Sequence, residues 1–427
     1  MEYLASDKIG IVDLATREII EEELDDDLVL EKIGGAGITK ALYDRFADEE
    51  PIVLGTGLLT GSLVPGSALG MITAKSPLTG KVSHAPLNLD AGMELKYSGF
   101  DYIVIKGTSE KPAYLWVHDG IADLNDADDV WGKDVWAATD HIRDLMGDDL
   151  IQVLGIGEAG EKGSELAQIC INYWQSGDRV GFGSLFGKKN LKLIAIRGMG
   201  LLEIAEPEEF VENCAELLSA VKSGPITTSR GIAAMAAALG EEDMGEWLKP
   251  LTHKHMACFN TPLPTNTFVF LDEDATLLEE TKAEEPGVLL TDIFPLLVFK
   301  RLGLSAPDAC HILRACAKYG IDGAAVAELS EKSGLTDPEA IKNSFPNLKG
   351  PVSCSGNSVF SAWAAVGNTE EETWVRRQAV AYIFGLHPIF ALMAPQLTEE
   401  TLLDLSSLGT ELELTSETLD EVIADII

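Results

Sequence analysis

Basic residues are scarce in this chain: 32 Lys and Arg stand against 69 Asp and Glu in 427 residues, giving a formal net charge of −37 and a pI near 4.4. Gripping nucleic acid through its phosphates needs clustered Lys and Arg, so no nucleic-acid partner is expected. Long apolar runs are missing as well. No stretch approaches about 18 uninterrupted apolar residues, and the start (Met1, Glu2, then Ser6, Asp7, Lys8) has no basic segment ahead of an apolar one. Neither a membrane span nor the usual secretory leader is expected. Cysteine is thin: Cys170, Cys214, Cys258, Cys310, Cys316 and Cys354 are too scattered for a disulfide framework and suit a reducing cytoplasm. The acidity fits a salt-rich host or simply a solvated surface, and both readings stay open.

The remaining composition, 46% hydrophobic and 24% charged, is that of a globular protein with a large core. Length alone suggests two or three domains. Strand patterns fall at residues 8–22 around a polar turn at Asp13 to Thr16, then at Ile52 to Leu54, Met71 to Ala74, Tyr102 to Lys106, Tyr114 to His118, Ile151 to Gly155 and Leu191 to Ile196. Helical patterns lie among them at Asp27 to Lys32, Asp134 to Met146 and Lys162 to Tyr173. After about Leu202 the texture changes. Glu206 to Lys222, Ile232 to Leu239, Ile293 to Leu302, Asp308 to Tyr319, Ala324 to Ser333, Glu371 to Phe384 and Glu399 to Leu408 carry apolar residues at helical spacing. The expected fold is α+β, with a β-rich two-sheet domain over 1–204 and a mainly α-helical domain over 205–427.

Three local patterns carry possible chemistry. Gly155-Ile-Gly157-Glu-Ala-Gly160 follows a strand and precedes a helix, as in a dinucleotide fingerprint. Glu158 and Glu161 would face phosphates, and no βαβ repeat surrounds it, so a plain turn is the favoured reading. His253, His255 and Cys258 have zinc-ligand chemistry, but no fourth His or Cys stands nearby, which favours loop residues. Cys310 and Cys316, six apart on an expected helix, point about 120° away from a shared face and are read as small buried apolar groups.

A longer signal runs through the N-terminal half. Gly34-Gly-Ala-Gly37, Gly55-Thr-Gly-Leu-Leu-Thr-Gly61 with Val64-Pro65-Gly66, Ala74-Lys-Ser-Pro-Leu-Thr-Gly80, Glu94-Leu-Lys with Gly99-Phe-Asp101, Lys111 to Trp116, Trp131 to Asp134, Gly155 to Gly160 and Gly187-Lys-Lys-Asn-Leu-Lys192 occur in one order. Over residues 8–200 this resembles the N-terminal domain of the aldehyde:ferredoxin oxidoreductase family, tungsten-pterin enzymes of anaerobes. The second half resembles the family more thinly, at Ala257-Cys258, Gly303-Leu304, Gly385-Leu386 and Leu397 to Leu414. On this resemblance the chain is a shortened, divergent member lacking a central part of the α region.

The resemblance implies a [4Fe–4S] cluster on a C-x-x-C-x-x-x-C run and a distant Cys, yet here the run reads Cys258, Thr261, Thr265 and the distant position is His387. One thiol and one imidazole stand where four thiolates are required, and a threonine hydroxyl is a poor ligand for soft iron. Cys258 and His387 are remnants of ligand positions, expected to lie close together without iron. At the pterin site the resemblance gives an Arg position to Leu69, an Asn position to Pro86, and two Asp positions to Lys300 and Tyr382. The phosphate-cradling run reads Gly177-Asp178-Arg179-Val180-Gly181, in which Arg179 is the retained phosphate-type contact and Asp178 an added carboxylate.

These departures favour a member that has lost pterin and cluster binding, has no catalytic residues, no metal and no cofactor, and serves as a non-catalytic partner or ligand-binding protein in the cytoplasm. The alternative is a working oxidoreductase on an aldehyde or oxo group, with tungstopterin or molybdopterin, a [4Fe–4S] cluster and ferredoxin as acceptor. Ferredoxins are typically acidic, so a charge of −37 opposes their approach unless a basic patch such as Lys188, Lys189 and Lys192 intervenes. Self-pairing as a homodimer, or association with a larger family member, is the expected partnership.

Overall fold

A computed structural model describes residues 1–223, 230–238, 241, 243–271, 286–352, 359–360 and 371–427. The first two hundred residues build two six-stranded mixed sheets. β1 (Lys8–Asp13) and β2 (Glu18–Glu23) form a hairpin whose turn is held by Asp13 Oδ1, which accepts from the Ala15 and Thr16 amides at 2.9 and 3.3 Å. β3 (Ile52–Thr56), β4 (Gly70–Lys75), β5 (Val82–Leu87) and β6 (Tyr102–Lys106) complete the first sheet in the order β2-β1-β6-β3-β4-β5, with only β1 and β6 parallel. Pro86 has no N–H to give to a ladder and sits on the edge strand β5, where that omission is tolerated.

The second sheet has the order β11-β10-β9-β12-β7-β8, from β7 (Ala113–His118), β8 (Ile121–Asp126), β9 (Gln152–Gly155), β10 (Cys170–Ile171), β11 (Trp174–Gln175) and β12 (Leu191–Arg197). The helix Val135–Met146 packs beside it, opened by Asp134, which accepts from the Ala137 amide, and closed by Gly147 at φ +70°. No βαβ unit follows Gly155. β9 runs antiparallel to both neighbours and only a four-residue helix, Glu158–Glu161, follows it, so the glycines serve close packing: a Cβ on Gly160 would meet Gly183 O at 2.8 Å.

The helix expected over Lys162 to Tyr173 is not formed. Gly163 takes φ +69°, and Leu166, Ala167, Ile169, Cys170 and Ile171 are all buried. Such a run has no solvent face for an amphipathic helix, and the chain satisfies it with extended backbone, an Ala167–Ile321 bridge and β10.

Beyond Arg197 the described chain is mainly helical: Pro207–Lys222, Gly231–Ala238, Phe294–Arg301, Ala306–Tyr319, Gly323–Ser333, Glu371–Phe384, Pro388–Met393, Glu399–Thr410 and Ser416–Ile426 are its main helices. It also carries an antiparallel sheet that the sequence reading passed over: β13 (Thr252–Met256), β14 (Asn266–Phe270) and β15 (Gly287–Leu290). His253 and His255 therefore lie on an edge strand, not a loop. The architecture is α+β, as expected. Its cores mix both halves: Leu166, Trp174 and Phe182 pack in one cluster with Leu296, Phe299 and Leu313, and Val53, Met71 and Tyr102 in another with Tyr382, Phe384 and Leu402. The buried Cys310 and Cys316 belong to the first cluster as apolar groups. Cys354 lies outside the described residues.

Candidate functional site

The family glycines position the site by letting backbones touch. A Cβ on Gly57 would lie 2.0 Å from Gly385 N, and one on Gly35, at φ +47°, would lie 1.9 Å from Tyr382 O. Across this contact Leu58 and Leu59 donate to Ile383 O and Phe384 O at 3.3 and 2.9 Å, Leu69 donates to Gly385 O at 2.9 Å, and His387 donates to Gly66 O at 2.7 Å. The loop Gly61–Gly66 holds a second segment too. Gly66 donates to Asn260 O at 2.8 Å, and Asn260 Nδ2 donates to Val64 O at 2.9 Å, which fixes the turn after Cys258.

One loop thus holds both the turn at Asn260 and the segment of His387. His387 Nε2 and Thr265 Oγ1 are 3.3 Å apart, and the Cys258 thiol accepts from Asn266 Nδ2 at 3.7 Å, with Thr265 and Leu89 near it. His387 Nδ1 accepts from Phe390 N at 3.4 Å, capping the helix Pro388–Met393, so the Nε2 proton is the one presented to Thr265. Thr261 closes the same turn, its amide donating to Cys258 O at 3.1 Å and its hydroxyl to Phe259 O at 3.0 Å. All four side chains are buried. Burial pushes the Cys258 thiol up to about 12 and the His387 imidazole down to about 4, so at neutral pH both are uncharged. A neutral thiol beside a neutral imidazole is no activated nucleophile, and one thiol with two hydroxyls and an imidazole does not fit a four-thiolate cluster.

The pterin-side positions are equally altered. Leu69 is fully buried, Lys300 pairs with Asp243, and Tyr382 packs on Phe360 with ring centroids 5.0 Å apart. Arg179 is buried and ion-paired with Asp292, its guanidinium 5.1 Å from the Phe294 ring centre. Asp322 lies within electrostatic reach of Arg179, Asp292 and Asp178, so the guanidinium already has an ion-paired carboxylate and a second one near it. Asp178 is raised to about 6 by burial, against the pull of backbone amides. An incoming phosphate would meet this negative surplus, so the residues present do not fit a phosphate-anchored cofactor here.

Asp322 is raised to about 7, first by burial, with Arg179 opposing and Asp292 and Asp178 adding to the rise. A raised carboxyl favours the fold while it keeps its proton. That contribution is complete below its ordinary value of 3.8 and is lost as pH rises through about 7. Asp322→Asn keeps an acceptor for the Ala324 amide but never ionises. It is expected to be more stable than wild type by on the order of 2 kcal/mol at pH 8, with the advantage shrinking towards pH 4. Thermal melts at both pH values check this, and an equal difference at both would reject it.

Two other sequence candidates dissolve in the structure. An irregularity between Thr252 and Lys254 lets His253 stack on Phe270, centroids 4.0 Å apart, while His255 Nδ1 pairs with Thr267 Oγ1 at 3.1 Å. Phe270 and Thr267 lie on opposite faces of β14, so the imidazoles do not converge. Among the described residues no three His, Cys, Asp or Glu side chains group as a metal site. The lysine patch is not a patch either: Lys192 is buried against Glu161, Lys189 is buried and donates to Gly107 O at 3.1 Å, and only Lys188 is exposed.

His84 was not legible as a site residue. It is buried on β5, with Nδ1 2.7 Å from Thr73 Oγ1, which is 2.6 Å from Thr39 Oγ1, and its ring stacks on Phe360. Burial lowers it to about 3, and among the described residues its Nε2 has no hydrogen-bond partner. A lone His in a strand carries no sequence signal for this; only the fold places it beside Phe360 and Tyr382.

Residues 9–198 match the family model described as aldehyde ferredoxin oxidoreductase, N-terminal domain. Curated relatives include the tungsten-containing aldehyde ferredoxin oxidoreductases of Pyrococcus abyssi (34% identical over 227 residues) and Pyrococcus furiosus (32% over 223), and the aliphatic sulfonate oxidoreductase, WOR-like subunit, of Pyrococcus furiosus (29% over 231). These matches take in 51%, 50% and 48% of this chain and 37% of each relative. Among solved structures, the active site complex BamBC of benzoyl coenzyme A reductase with 1,5-dienoyl-CoA matches 95% of this chain and 65% of that one, at TM-score 0.67 and 21% identity. That likeness extends the shared fold through the helical half. The two mixed sheets of the N-terminal region are similar in fold to the aldehyde ferredoxin oxidoreductase N-terminal domain. Through residues 9–198 the chain is similar to that family, and it spans little more than a third of the length of the curated relatives it matches.

Proposed function

We propose that this chain is a relative of the tungsten-dependent aldehyde ferredoxin oxidoreductases that has given up pterin and [4Fe–4S] binding and works, in the cytoplasm of an anaerobe, as a non-catalytic partner or ligand-binding protein. The observation carrying this reading is that Cys258 and His387 are buried, uncharged and hydrogen-bonded to Asn266 and Thr265, side chains that are not cluster ligands, rather than held open as thiolates. The self-neutralised Arg179 and the apolar or mismatched Leu69, Pro86, Lys300 and Tyr382 support it from the pterin side. Partnership draws support from two similar proteins whose names make them parts of assemblies, the WOR-like subunit and BamBC. Either a larger family member or a second copy fits that role.

The second reading, a working oxidoreductase on an aldehyde or oxo group with tungstopterin or molybdopterin, a cluster and an iron–sulfur acceptor, is favoured by the 34% identity to a tungsten enzyme. Metal analysis with an ultraviolet-visible spectrum of anaerobically purified native-host protein separates them. The expected result is no tungsten or molybdenum, no stoichiometric iron and no aldehyde-dependent viologen reduction. About one tungsten or molybdenum per chain together with that activity would establish the second reading instead.

A further inference from the structure

The loop after β11 has a geometry that the loss of a cofactor does not require. Gly177 and Gly181 take φ +82° and +79°, and the turn between them aims successive amides inward. The Asp178 carboxylate, 1% exposed, fills that concavity: Oδ1 accepts from Val180 N at 2.9 Å, and Oδ2 accepts from Phe182 N at 3.2 Å and Ile169 N at 3.4 Å, with the Gly181 amide also donating. A local Asx turn accounts for the Val180 contact only. Donors from Ile169 and Phe182 make it an amide nest gathered on one anion. The neighbouring cation is treated the same way, since Arg179 is held by Asp292.

We propose that the loop Ser176–Phe182 is an anion cradle supplied with its own anion, the Asp178 carboxylate, and that it admits a phosphate group only when that side chain is removed. A tethered carboxylate competes at an effective concentration that free phosphate does not reach, and it does so without leaving the fold. The inference rests on the reading of a chain without pterin and sharpens it. Whatever this protein binds is not anchored by a phosphate at this loop, so its ligand belongs to a class that needs no such anchor.

Inorganic phosphate is the probe, titrated calorimetrically at pH 7.5 and constant ionic strength against wild type, Asp178→Gly and Asp178→Asn. Wild type is expected to show no saturable binding up to about 20 mM, and Asp178→Gly to bind one phosphate at least about 10-fold more tightly than that limit, with a phosphate-dependent rise in melting temperature. Asp178→Asn, whose side-chain oxygen still accepts from the amides, is expected to behave as wild type. Folded Asp178→Gly that binds no phosphate overturns the proposal. So does wild type whose Val180 and Phe182 amide resonances shift saturably with phosphate, a measurement that stands even if the glycine variant does not fold. Tungsten in the native protein would remove the reading of function, whereas these titrations succeed or fail on the loop alone.

Discussion

Gly57→Ala is expected to cost about 3–5 kcal/mol, enough to unfold much of the protein at ordinary temperature or to free the segment that carries His387. The added Cβ would sit 2.0 Å from Gly385 N, 2.2 Å from Gly385 Cα and 2.4 Å from Phe384 C. These are all backbone atoms, so no side chain can swing aside. Relief requires the two chains to separate, and separation breaks the bonds from Leu58 and Leu59 to Ile383 O and Phe384 O and strains the contact at Leu69. Gly155→Ala is the control. Its Cβ would meet only side chains, Leu193 Cβ at 3.6 Å and Val153 Cγ1 at 3.7 Å, so a change within about 1 kcal/mol is expected. Chemical denaturation of both variants, with proteolysis mapped around residues 383–387, checks the contrast. Equal stability of the two would mean that the glycine runs are not the seam of the fold.

That seam explains why so much of the first half was legible. Glycine runs such as Gly34 to Gly37 and Gly55 to Gly61 stand in sequence because close packing against backbone (Gly34, Gly35, Gly37, Gly57) or side chains (Gly55, Gly61) leaves no room for a Cβ, and such constraints leave a pattern in the sequence itself. Helices with local signals were equally readable: Asp134 and Ser305 cap Val135–Met146 and Ala306–Tyr319, and Gly147 and Gly320 close them. Segments governed by tertiary contacts were not. Residues 166–171, apolar apart from Gln168, show no period because they are buried on every side, which resembles a helix until the fold shows a strand. β13 is short and exposed, with His253, Lys254 and His255 all facing solvent, so it carries no alternation to read.

Site residues divide along the same line. The mismatch of residue types at Thr261, Thr265 and His387 was visible in sequence, because it needs only the chemistry of the ligand. What surrounds these residues was not visible. The contact of Thr265 with His387, the capture of Arg179 by Asp292 and the burial of Lys192 against Glu161 join residues 122, 113 and 31 positions apart. A lysine or arginine looks like a contact for an outside anion until the fold supplies an inside one. In a chain with 69 acidic residues, an inside partner is rarely far away.

The combined variant Thr261→Cys, Thr265→Cys and His387→Cys is expected to take up a [4Fe–4S] cluster, and wild type is expected to take up none. With Cys258 it places four thiols at the positions the family resemblance gives to cluster ligands. Two of these, Thr265 and His387, are already within hydrogen-bond distance of each other, and Asn266, next to Thr265 in the chain, donates to the Cys258 thiol at 3.7 Å. Replacing His387 removes the acceptor that caps Pro388–Met393, a loss of about 1 kcal/mol that the bonds between His387 N and Gly66 O and between Leu69 N and Gly385 O should withstand. Burial opposes thiolates here, as the raised Cys258 shows, but iron replaces the proton and reverses that preference. Anaerobic reconstitution with iron and sulfide should give about four irons and four sulfides per chain in the variant and none in wild type. The cradle geometry would then outlast the chemistry it served. A folded variant that takes up no iron would mean that residue 261 does not converge with the other three, and that the turn after Cys258 has closed on its own hydrogen bonds rather than on a site that side chains alone can restore.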